Sequence, residues 1–116
     1  MKYQFKCSNR SLDIDNEDEF CKLKGDELSE LLYYDDKFIR WMDYRDIMKF
    51  STGDITLTLL KHPHLIHYFS VKLPKLNYSQ WAKLIEKENN ILIWLSYINY
   101  DYYMMHLVQL QLKEKS

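Results

Sequence analysis

With 116 residues, 47% of them hydrophobic and 16% aromatic, the chain can fill a core, which excludes disorder over its whole length. Two glycines and two prolines leave little material for long linkers, so a single domain over 1–116 is expected. The formal net charge is −1, so any electrostatic choice of partner must come from local patches and not from a global field.

In chain order, Lys2 to Cys7 alternates polar and apolar residues, with Tyr3, Phe5 and Cys7 on one side, which predicts a half-buried strand. A turn at Ser8-Asn9 leads to a second extended piece carrying Leu12 and Ile14. Asn16 starts a short helical stretch, and Gly25 reads as its C-terminal cap. Asp26 reads as the cap of the next helix, where Leu28, Leu31 and Leu32 recur at helical spacing. Asp35 and Asp36 open a third helix running to Phe50, with Phe38, Trp41, Met42 and Met48 along one stripe, and the Ser-Thr-Gly-Asp run at 51–54 closes this half.

The second half has a different texture. Residues 55–60 and 65–73 are β-branched and alternating around the turn-like Lys-His-Pro-His at 61–64, and predict a hairpin. A helix starts near Asn77 to Ser79 and buries Trp81, Leu84 and Ile85. Residues 91–98 and 104–113 flank Asn99–Tyr103 and predict a second hairpin, the first of its strands apolar on both faces as a central strand is. The fold class expected is α+β, an antiparallel sheet of about four to five strands with helices packed on one face; an all-α fold is the alternative, because short apolar runs do not separate helix from strand by period.

The longest apolar run, 91–95, is too short to span a bilayer, and the amino-terminal stretch lacks the apolar segment of a signal peptide. Cys7 and Cys21 are expected as free thiols in the cytoplasm. No catalytic residue, metal ligand or cofactor is assigned. His62, His64 and His67 lie close together, but no His-Glu-x-x-His or Cys-x-x-Cys partner accompanies them, and turn histidines are the expectation. His106 reads as a strand residue. Gly25 and Gly53 are isolated, which excludes a glycine-rich phosphate loop.

Charge is the most informative feature. Residues 1–54 carry 13 acids against 9 bases, while 55–116 carry 4 against 7. Within the first half, residues 11–36 hold ten carboxylates against Lys22 and Lys24. Asp13, Asp15, Glu17, Asp18, Glu19, Asp26, Glu27, Glu30, Asp35 and Asp36, with Tyr33 and Tyr34 as aromatic anchors, therefore form the expected partner-binding face. Acids at helix starts also favour the macrodipole, so part of this charge has a structural purpose. The partner expected is a protein with a basic surface, such as a toxin or nuclease, and the analogy of type is to small immunity or anti-defence inhibitors. Neither a membrane nor direct nucleic acid is expected. The alternative is a nucleic-acid-associated adaptor using Lys61, Lys72, Lys75, Lys83 and Lys87 with Tyr78 and Trp81.

Overall fold

The computed structural model describes residues 2–115, of which 69% are helical, and packs into two compact units, Met1–Phe69 and Ser70–Ser116. Helix replaces the expected sheet of four to five strands, and the all-α alternative describes the chain better.

In the first unit, β1 (Lys2–Gln4) and β2 (Ser11–Asp13) pair antiparallel with Tyr3 opposite Leu12. The reversal passes through Asn9 at φ 60°, a left-handed conformation that asparagine tolerates better than most residues. This hairpin agrees with the alternation of the sequence. Helix α1 (Glu17–Phe20) starts where expected, with the Asn16 side chain accepting the N–H groups of Asp18 and Glu19.

Gly25 is not a C-terminal cap. It is the first residue of α2 (Gly25–Tyr34), and a Cβ there would stand 2.0 Å from the Lys49 carbonyl oxygen. The position needs glycine for a close backbone approach and not for its conformational freedom. Asp26 lies in the first turn of α2; the N-cap is Lys24, whose N–H is bound by the Glu27 carboxylate at 2.9 Å. Leu28, Leu31 and Leu32 are buried as their spacing predicts.

The expected long third helix is broken in two. A 3-10 helix, Asp36–Trp41, is capped by Asp35, and α3 (Tyr44–Met48) is capped by an Asp43–Asp46 box. The buried apolar residues are Ile39, Ile47 and the following Phe50, whereas Trp41 is 52% and Met48 37% exposed. The anticipated stripe is thus wrong, because the break at Met42-Asp43 rotates one segment against the other.

Residues 51–54 open a helix where an ending was expected. Ser51 and Asp54 form a capping box at the start of α4 (Thr52–Lys61). The expected strand at 55–60 buries Ile55, Thr56, Thr58 and Leu59, a helical face, and leaves Leu57 57% exposed. Helix α4 packs on α2, where the Thr58 and Ser29 hydroxyls meet at 3.1 Å. No strand forms over 65–73: a 3-10 helix, Pro63–Phe69, runs through the expected turn and carries Leu65, Ile66 and Phe69 into the core, and Phe69 meets Phe50 edge to face at 5.0 Å.

In the second unit a short 3-10 turn, Leu73–Lys75, precedes α5 (Tyr78–Lys87). Asn77 caps α5 in a box with Gln80; the start near Asn77 and the burial of Trp81, Leu84 and Ile85 are as the sequence predicts. The second expected hairpin is instead a pair of helices, α6 (Ile91–Ile98) and α7 (Tyr100–Lys115). Helix α6 buries Ile91 and Leu95, four residues apart, and exposes Ile93 and Tyr97, so its burial follows helical spacing. Asn99 caps α7, its side chain accepting the Tyr102 N–H at 3.1 Å. Among the described residues no helix is long and apolar enough to cross a membrane.

Candidate functional site

The twelve residues expected to form a partner-binding face have separate fates. Glu27 is fully buried, receiving the Ser8 hydroxyl at 2.6 Å and the Arg10 guanidinium at 3.1 Å. Glu30 accepts the backbone N–H groups of Lys6 and Cys7 at 3.1 and 3.0 Å. These two acids fasten the hairpin loop to α2. Glu19 binds the Asp13 N–H at 2.9 Å, Asp13 accepts the Asp15 N–H, and Asp26 accepts the Glu27 N–H. Asp35 caps the 3-10 helix, and Asp36 sits 2.8 Å from His64. Tyr33 and Tyr34 are exposed and meet edge to face, with Lys61 over the first ring and Lys6 over the second, each ammonium 5.3 Å from a ring centre. Asp18 is exposed in the first turn of α1.

Asp15 and Glu17 are brought together differently. They line a groove of about 480 Å³ whose other walls are Ile14, Phe20, Cys21, Trp41, Asp43 and Asp46. Sequence reasoning placed none of these six in a site. It assigned Trp41 to the core and ran a helix through Asp43 and Asp46; the Asp-x-x-Asp spacing of a capping box was the signal that a helix begins there.

The lining of the groove combines the rings of Phe20 and Trp41 with the carboxylates of Asp15, Glu17, Asp43 and Asp46. Trp41 packs edge to face on Phe20 at 6.0 Å and on Phe38 at 5.3 Å, and half of it faces solvent. The Asp43 carboxyl is held below the usual carboxylate range, first by the Asp46 N–H it accepts and then by Arg45 at 3.3 Å. It is therefore charged throughout the neutral range. Asp46 is mostly buried and ion-paired with Lys49 at 3.6 Å, while that ammonium also binds the carbonyls of Cys21 and Leu23. Carboxylates beside an exposed tryptophan are the side-chain types that suit a guanidinium or ammonium and its apolar stem.

The lysines of the second half do not form one set. Lys61 belongs to the first unit and lies over Tyr33, and Lys72 is 9% exposed; Lys75, Lys83 and Lys87 are exposed in the second unit. Cys7 and Cys21 are free thiols. The Cys7 thiol is pushed up to about 11, by desolvation first and then by the negative charge of Asp26 and Glu30, although its side chain reaches solvent. That is the opposite of an activated nucleophile.

Comparisons of this chain with protein-family models, with curated proteins and with solved structures return no match.

Proposed function

We propose that this chain is a small protein-binding inhibitor of the immunity or anti-defence type, which neutralises a partner enzyme by holding a basic segment of it in the acidic groove. The observation that carries the reading is the groove itself: carboxylates of Asp15, Glu17, Asp43 and Asp46 set around an exposed Trp41. Acids speed the encounter with a basic surface, and a desolvated tryptophan slows departure. A nuclease suits the role of partner, because its substrate cleft must be basic to hold phosphates. Of the residues first assigned to the face, Asp15 and Glu17 remain its centre; Glu19, Glu27 and Glu30 are better explained by the fold. The reading needs neither a cofactor nor a catalytic residue of this chain. We read it as a cytoplasmic protein, since its two free thiols suit a reducing compartment.

The test is affinity purification from the native host at low and high salt, followed by binding measurements with variants. A single stoichiometric protein with a basic surface, released at high salt, is the expected result. Asp15→Lys with Glu17→Lys should then weaken association at least about tenfold, and Trp41→Ala should cost about 2 kcal/mol, chiefly through faster dissociation. Neither acid is an N-cap, so the double variant should remain folded. Unchanged binding by that variant, or recovery only of nucleic acid removable by nuclease, would refute the inhibitor reading.

A further inference from the structure

Away from the groove, the first unit gathers Asp36, His62 and His64 so that one ligand atom of each lies within 4.8 Å of the others. The sequence separates them by 26 and 28 positions, and the packing of α2 on α4 closes that gap. His62 is the residue at which α4 ends, its backbone N–H bound to the Thr58 carbonyl at 2.8 Å and its own carbonyl accepting the Leu65 N–H at 3.1 Å. Pro63 follows and fixes its own φ, so the two imidazoles are carried by a stiff His-Pro-His segment.

We infer that Asp36, His62 and His64 form a binding site for a divalent transition-metal ion of the Zn²⁺ class. Three features carry this. First, the Nε2 of His62 stands 3.1 Å from the Tyr33 carbonyl oxygen. A carbonyl can only accept, so Nε2 carries the hydrogen, and in the neutral ring Nδ1 keeps its lone pair for a metal. A backbone carbonyl orienting a ligand imidazole through its other nitrogen is the usual outer-shell arrangement of metal sites. Second, α2 ends at Tyr34 and α4 at Lys61, and the His62–Tyr33 contact joins these two ends. Helix C-termini carry partial negative charge, so both favour a cation there. Third, two imidazoles and one carboxylate are a donor set suited to zinc, with a fourth position left for water.

The approach required is small. Ligand atoms around a tetrahedral zinc ion stand about 3.4 Å apart, as bonds of about 2.0–2.1 Å dictate. The His64 and Asp36 side chains, 61% and 37% exposed, have room to close the remaining distance. Bound metal would clasp the end of α2 to the end of α4 and would replace the direct 2.8 Å contact between Asp36 and His64.

The experiment uses the full chain, free of any histidine tag and dialysed against chelator, titrated calorimetrically with Zn²⁺ alone. One ion per chain is expected, with a Tm that rises as Zn²⁺ is added. His62→Gln, His64→Gln and Asp36→Asn should each weaken binding at least about tenfold, and Cys7→Ser with Cys21→Ser should not. His64 is largely exposed, so its variant should match the wild type in metal-free Tm and serves as the decisive one. The inference is overturned if no ion binds, if the His64 variant binds as tightly as the wild type, or if binding is lost with the cysteines.

Discussion

Glu27 is fully buried while its partner Arg10 is 36% exposed, so truncating one is not equivalent to truncating the other. Arg10→Met leaves a carboxylate in the interior with the Ser8 hydroxyl and the Lys24 N–H but no countercharge, and should cost about 3 kcal/mol in urea unfolding. Glu27→Gln keeps an acceptor in place and lets Arg10 turn to water, for a smaller loss of about 1–2 kcal/mol. The reverse order would mean that hydrogen bonding, and not charge, holds this corner. Tyr3 and Cys7, beside Glu30, set the response to alkali. The Tyr3 hydroxyl is pushed up to about 12, by burial first and then by its hydrogen bond to Glu30, and the Cys7 thiol to about 11. Both groups hold their protons more tightly folded than unfolded, so their contribution is full below their ordinary values and fades as pH rises through the folded ones. Stability should therefore fall from about pH 9 to 12, and Tyr3→Phe with Cys7→Ser should flatten that fall in a pH series of urea unfolding curves.

At the scale of elements, the two glycines give opposite predictions. Gly25→Ala drives a methyl group to within 2.0 Å of the Lys49 carbonyl and should destabilise by about 3 kcal/mol, while Gly53, in the first turn of α4, has only the Ser51 hydroxyl at 3.8 Å. Gly53→Ala should therefore stabilise by roughly 0.5 kcal/mol, through a less flexible unfolded chain and better helix propensity. Thermal unfolding of both variants checks the pair, and equal losses would mean that the close approach at Gly25 is not what excludes a side chain. The same elements show what could be read in advance. The amino-terminal hairpin, the Asn16 and Asn77 caps and the buried stripe of α5 were legible because charge, cap and spacing agreed there. Helix α4 was not, because threonines alternating with Ile55, Leu57 and Leu59 imitate a strand; the serine and aspartate three apart at its start outweigh that alternation. Helix α6 is apolar all round, so period had nothing to report, and α7 has no fully buried residue among Tyr100–Glu114 to mark its inner side. At the groove, Asp15 and Glu17 were found through charge alone. The cluster of Asp36 with His62 and His64 was invisible because Asp36 belongs to another part of the chain.

Across the whole molecule the near-zero net charge hides an acidic first half, and that half carries the groove. Association with a basic partner should consequently slow as salt is raised, by about tenfold between low and high ionic strength in stopped-flow measurements, with dissociation much less affected. An association rate indifferent to salt would remove charge from the account of binding. The fastening of the hairpin loop by Glu27 and Glu30 bears on how the chain is made. A two-stranded hairpin is marginal by itself in water, and the acids that hold this one lie 19 to 24 residues further along the chain. The hairpin must therefore wait, unsettled, until α2 has been made. It is synthesised before the helix that holds it and acquires its structure only with that helix.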